Sequence, residues 1–134
     1  MRTYKDIMEK VYKNPRDYKF NKISESTRKQ IVEFTGIPQD YTDFLKEVGY
    51  GSVGDSYFMF YEGVIEAEEI FDTEENGELN NVLLLGDNFS GDAVGFLTTD
   101  NWSIVEVWHE DLSIVPREEK TFKQFVRNVF LKEM

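Results

Sequence analysis

The apolar residues change their spacing twice along the chain, and that change limits the fold more than any single motif. Tyr4, Ile7, Met8, Val11 and Tyr12 recur at helical spacing, with Thr3 placed to cap the helix. Asn14-Pro15 ends it. Residues 14–22 are polar and basic and read as a loop, with Tyr18 and Phe20 tucked inward. Ser24 opens a second helix through about Thr35, anchored by Ile31 and Phe34 and closed by Gly36. Ile37-Pro38 begins a third, with the proline at the first helical position. Tyr41, Phe44, Leu45 and Val48 form its stripe, and Gly49 ends it.

After Gly54 the pattern becomes that of strands. Tyr57 to Tyr61 is an aromatic run bounded by glycines, and Val64 and Ile65 follow it. Glu66 to Phe71 reads as a helical turn, and residues 72–80 as a polar, acidic loop. Val82–Leu85, Ala93–Leu97, Ile104–Trp108 and Leu112–Val115 are further strand segments. In one of them Ile104, Glu106 and Trp108 fall on one face and Val105 and Val107 on the other. The helical period then returns at Phe122, Phe125, Val126, Val129 and Phe130, behind Thr121 as a cap. Helices, then strands, then a helix predict an α+β domain. Its N-terminal and C-terminal helices pack on a mainly antiparallel sheet of about five or six strands. No linker or repeat interrupts residues 1–134, so one domain is expected.

The chain contains no cysteine, which excludes disulfides, thiolate zinc sites and cysteine nucleophiles. Aromatic residues make up 15 % of it, enough for a packed core. The charged, amphipathic start has no apolar segment of signal-peptide type, and the longest apolar run is Tyr57 to Tyr61. A cytoplasmic protein that does not enter membranes is expected.

Charge is sharply segregated. The net charge is −11, yet residues 37–112 hold 18 carboxylates and a single cation, Lys46. Residues 1–24 carry seven cations against three carboxylates, and residues 113–134 five against three. One reading is solubility; the other is an acidic face presented to a basic partner. Direct nucleic-acid binding is disfavoured, because phosphates require Lys and Arg clusters that the middle of the chain lacks.

No catalytic constellation emerges. Gly49, Gly51 and Gly54 spell GxGxxG, but the pattern follows a helix and precedes a strand, the reverse of a dinucleotide-binding context. It reads as a turn that needs positive φ. The segment Gly86 to Asp92 has the look of a calcium loop, but Phe89 stands where an oxygen ligand belongs and Thr98 where the distal Glu would be. A connection between two strands explains it better. His109 is the only histidine, no serine lies in a nucleophile elbow, and the carboxylate pairs are what acidic composition produces. The expectation is a protein that is not an enzyme and uses no metal or cofactor.

Two tryptophans suit recognition. Trp102 lies in a polar turn, and Trp108 ends a strand. Either they are exposed hot spots ringed by acid, or they plug the core between sheet and helices. On the first reading the partner-binding candidates are Trp102 and Trp108 with the surrounding carboxylates. These are Asp55, Glu62, Glu66, Glu69 and Asp72 in the first half, and Asp87, Asp92, Asp100 and Glu106 in the second.

The stretch from Ile37-Pro38-Gln39-Asp40-Tyr41 through Phe44-Leu45 to Gly49-Tyr50-Gly51 resembles the signature of the SUKH superfamily, also called the Smi/Knr family. Leu85-Gly86-Asp87 with Gly91-Asp92 is similar to a second landmark of that family, and Thr121-Phe122-Lys123-Gln124-Phe125 to its closing helix. The resemblance spans residues 24–131. Many members carry Asn-Gly-Gly where this chain has Gly49-Tyr50-Gly51, so the detail of that turn departs from the pattern.

The resemblance implies an α+β fold and a non-enzymatic role, with no catalytic residues to carry over. It implies either a bacterial immunity protein that neutralises a toxin, often a basic nuclease, or a cytosolic adaptor of the cell-wall-regulator type. On the first expectation the partner is a basic toxin domain, met by a monomer or weak dimer through the acidic face.

Overall fold

Seven strands follow one another in an antiparallel meander, each hydrogen-bonded to its neighbour in sequence. They are β1 (Tyr18–Asn21), β2 (Tyr50–Val53), β3 (Phe58–Glu66), β4 (Val82–Asp87), β5 (Ala93–Leu97), β6 (Ser103–Val107) and β7 (Ile114–Pro116). Four helices accompany them: α1 (Lys5–Lys13), α2 (Glu25–Ile31), α3 (Gln39–Glu47) and α4 (Phe122–Glu133). The structure, a computed structural model, describes residues 3–54 and 56–133, with side chains as far as residue 130. No described helix is long and apolar enough to cross a membrane.

The α+β class is as expected, and the sheet gains two strands over the sequence reading. Residues 18–21, read as a loop, form β1, and residues 50–53, read as a turn, form β2. Tyr18 and Phe20 do alternate at the period of a strand, and their pairing partners lie far along the chain, at Val53 and Gly51. A side chain at Gly51 would put its Cβ 1.9 Å from the carbonyl oxygen of Lys19, so the close approach of β1 and β2 admits only glycine there. Gly49 keeps the positive φ expected of it, at 103°.

Two helix starts differ from expectation. Tyr4, not Thr3, occupies the cap position of α1, and it supplies no side-chain cap. The carboxylate of Glu47, at the end of α3, accepts the backbone N–H groups of Thr3 at 3.2 Å and Tyr4 at 2.9 Å. A distant acidic side chain thus satisfies donors that helices normally leave to a local cap. Pro38 caps α3 with extended backbone instead of sitting inside its first turn. Ser24 caps α2 as expected, accepting the N–H of Thr27, although α2 ends at Ile31 and not near Thr35.

The sheet has two covered faces. On one, Phe58, Phe60, Leu85, Val94, Phe96 and Ile104 lie under Tyr41 and Phe44 of α3 and under Phe122, Phe125, Val126 and Phe130 of α4. Ring contacts run through this layer, such as Phe44 to Phe60 at 4.8 Å between centroids. Each buried Phe contributes about 1.5–3 kcal/mol. On the other face Val82, Leu84, Ala93, Val105 and Val107 form a smaller cluster with Ala67, Leu79 and Leu112. No long helix covers it. Residues 67–81 do, as a strap with 3₁₀ turns at Ala67–Glu69 and Gly77–Asn81.

Candidate partner-binding surface

The strap combines a few apolar anchors with an acidic exterior. Leu79 is fully buried and pins it to the sheet. The Asn76 side chain caps the second 3₁₀ turn and also donates to the carbonyl of Leu112 at 2.9 Å. Asp72 accepts the N–H of Glu74 in a local turn. With its inner side anchored, the strap leaves Glu68, Glu69, Asp72, Glu74, Glu75 and Glu78 exposed. Glu66 lies beside Glu68, and the hydrogen bond they share, followed by the like charge, holds its carboxyl above the usual range.

The β4–β5 turn stands at one end of this face. Asp87 accepts the N–H of Phe89 at 2.9 Å, and Asn88 accepts those of Ser90 and Asp92. These bonds hold Phe89 at a φ of 66°, a region that aromatic residues rarely occupy. Its ring is 45 % exposed. Phe89 and the exposed Ile70 of the strap line a groove of about 340 Å³ with Tyr61, Asp87, Gly91 and Ala93.

The turn is also tied to its neighbour. Asp92 Oδ1 accepts the backbone N–H of His109 at 3.0 Å and lies 2.7 Å from the ring Nδ1 of the same residue. The backbone bond foremost, and the ring contact with it, hold Asp92 below the usual carboxylate range. The His109 ring packs on Gly91 so closely that a Cβ there would come within 3.0 Å of it. Trp108 follows Val107, the strand partner of Ala93, and is 43 % exposed. Its indole N–H donates to Glu106 at 3.0 Å. Ile70 and Phe89 therefore gather at one end of an acidic sheet face, and Trp108 stands at the same end of the sheet on the side of Glu106. A rigid aromatic flanked by carboxylates can bury apolar area while presenting negative charge to a partner.

The expected residues divide into groups. Glu69, Asp72, Asp87, Asp92 and Trp108 lie on the strap or at this end of the sheet. Glu106 supports Trp108 and pairs with Arg117. Glu62 has an internal task instead, accepting the Ser24 N–H at 2.8 Å and the Thr27 hydroxyl at 3.0 Å. The Ser24 bond is the main reason its carboxyl sits below the usual range. Asp100 braces its own turn through Ser103. Asp55 lies outside the described residues.

The two tryptophans part company. Trp108 is exposed, whereas Trp102 is a half-buried plug. Its ring meets Phe96 at 5.7 Å and Phe34 at 6.4 Å, and it lies against Gly36. Of the two readings left open for Trp102, its packing matches the core plug. Its turn has positive φ at Asn101 and Trp102, which swings the indole back over the core. Ile70, Phe89 and the His109 tether escaped the sequence reading. The available signal was Phe89 itself, a large apolar residue in a run of turn formers.

Near this surface Arg117 organises a second polar cluster. It donates to both oxygens of the buried Glu119, at 2.8 and 2.9 Å, and lies 5.1 Å from the Phe125 ring. The guanidinium, helped by Asn128, holds Glu119 down at about 2. Among the described residues no group of three or more His, Asp or Glu side chains is arranged to hold a metal ion.

A family model described as SMI1-KNR4 cell-wall, of the SUKH_6 type, matches residues 35–126, well over half the chain. The matched span runs from the lead-in to α3 through every strand from β2 to β7 and into α4. A comparison with curated proteins finds no match.

Proposed function

Because the chain belongs to the SMI1-KNR4 (SUKH) family, we propose that it is a non-catalytic protein-binding domain. On this reading it is a bacterial immunity protein that neutralises a basic toxin in the cytoplasm. The observation that carries the proposal is the exposed Ile70–Phe89 groove beside Asp87 and at the end of an acidic strap. Aromatic anchors supply most of the affinity of such surfaces, and a ring of like charge steers an oppositely charged partner. Residues 37–112, with 18 carboxylates and one cation, give the field its sign. His109 has a structural task in this account, since it fastens the aromatic turn through Asp92.

Co-expression with the toxin domain encoded by a neighbouring gene tests the proposal. Wild-type protein restores growth, and Phe89→Ala with Trp108→Ala restores it poorly while remaining folded. Equal protection by the double variant would remove this surface from the account. The family description also favours a second reading, an adaptor connected with the cell wall. That reading gains if no toxin gene neighbours this one and the strap carboxylates can be neutralised without effect.

A further inference from the structure

A second, oppositely charged site lies away from the acidic face, among the helices. Met8 of α1, Lys22 after β1, Arg28 of α2 and the Lys46–Glu47–Val48 end of α3 line a groove of about 310 Å³. Lys46 is the only cation between residues 37 and 112, and it lies here with two others. In a chain of 26 carboxylates and 15 cations, a lysine or arginine readily finds an acidic partner. Yet among the described residues none of these three is within ion-pair distance of a carboxylate, whereas Arg117 and Arg127 are both ion-paired. The one carboxylate in the wall, Glu47, is engaged with the backbone N–H groups of Thr3 and Tyr4.

The negative end of the α3 dipole accounts for Lys46 taken alone. It does not account for Lys22, which arrives on a different segment. There the chain passes so close to Gly49 that the Lys22 Cα would lie 3.5 Å from a Cβ on that glycine. Nor does it account for Arg28, which comes from α2. Three cations around one concavity repel each other, and a bound anion reverses the sign of that interaction.

We propose that this groove binds the phosphate dianion of a small phosphate monoester. Two ammonium groups and a guanidinium match a doubly charged, multi-oxygen anion. The Met8 and Val48 side of the groove would receive the apolar body of the ester. The volume sits at the lower end of the roughly 300–1,000 Å³ typical of ligand pockets, which favours a small molecule. This site is independent of the toxin-binding proposal and stands or falls separately.

The test is an amide NMR titration of the full chain at low ionic strength with phenyl phosphate, inorganic phosphate and benzoate. The expected result is saturable binding of phenyl phosphate, with a Kd on the order of 1 mM or below. Its shifts are centred on Met8, Lys22, Arg28 and residues 46–49. Inorganic phosphate binds several-fold more weakly at the same amides, and benzoate does not saturate. Lys46→Gln and Arg28→Gln each weaken phenyl phosphate about tenfold, the effect of losing one charge-assisted bond. Lys13→Gln, an exposed cation outside the groove, leaves it unchanged, and the unshifted remainder of each spectrum reports that the variant is folded. Non-saturating shifts spread over the basic N-terminal segment, or equal weakening by Lys13→Gln, would overturn the proposal. Tighter binding of benzoate than of phenyl phosphate would overturn the phosphate assignment.

Discussion

The hydroxyl of Tyr61, in the middle of β3, donates to Asp87 Oδ2 at 2.6 Å, while the other oxygen of Asp87 accepts the Phe89 N–H at 2.9 Å. One carboxylate thus connects the floor of the groove to the turn that presents the exposed aromatic. Burial first, and then the bond to Asp87, push the Tyr61 phenol up. Tyr61→Phe removes the donor but keeps the ring, so it is expected to cost about 1 kcal/mol in urea unfolding. The same change frees Asp87 and is expected to loosen the Phe89 turn, read as faster hydrogen exchange at Phe89 and Ser90. An unchanged exchange rate would mean that the turn holds itself.

Acid stability rests on Glu119. Its folded pKa, about 2, lies below the ordinary value of 4.5. The stabilisation is therefore fully present above about pH 4.5 and is lost as pH falls toward 2. The side chain is almost fully buried, so the loss is on the order of 3 kcal/mol across that window. Glu119→Gln is expected to flatten this part of the pH profile and to lower stability at neutral pH. A variant with the wild-type acid slope would show that other carboxylates carry it.

The two tryptophans should separate cleanly on mutation. Trp102→Ala removes a ring packed on Phe34 and Phe96 and is expected to cost about 2 kcal/mol or more of stability. Trp108→Ala removes an exposed ring, with less than about 1 kcal/mol expected in unfolding but about 2 kcal/mol in partner binding. Chemical denaturation and titration calorimetry on both variants check this assignment. The reverse pattern would contradict it.

Tyr41 makes a prediction of opposite sign. Its hydroxyl is buried with no hydrogen-bond partner among the described residues, although its ring meets Phe96 and Phe122 at about 5 Å. A buried unsatisfied hydroxyl costs about 1–3 kcal/mol, so Tyr41→Phe is expected to stabilise the protein. Thermal unfolding reads this directly, and a destabilised variant would point to an unseen partner for the hydroxyl.

Local patterns carried much of this structure, and long-range pairing carried the rest. The stripe Tyr41, Phe44, Leu45 and the closing run Phe122 to Phe130 are helical in the sequence and in the fold. The alternation of Ile104 and Glu106 against Val105 and Val107 survives in β6, which ends one residue before Trp108. β1 escaped because four residues with basic neighbours become a strand only once Val53 and Gly51 lie alongside. The acidity of residues 37–112 was legible, but not the tasks of individual carboxylates. Glu62 serves Ser24 and Glu47 serves Tyr4, contacts 38 and 43 residues apart that no local window contains. In the sequence Phe89 stands out only as a residue that spoils a calcium loop. Its exposure follows from bonds to Asp87 and from a left-handed backbone that spacing does not reveal.

The central claim is that an acidic, aromatic-tipped face docks onto a basic protein. Its most direct test is the association rate constant with the neighbouring gene's toxin domain, measured by stopped flow from low to high salt. The account predicts a fall of about tenfold or more as salt screens the carboxylates. A rate constant that stays level across the series would contradict it.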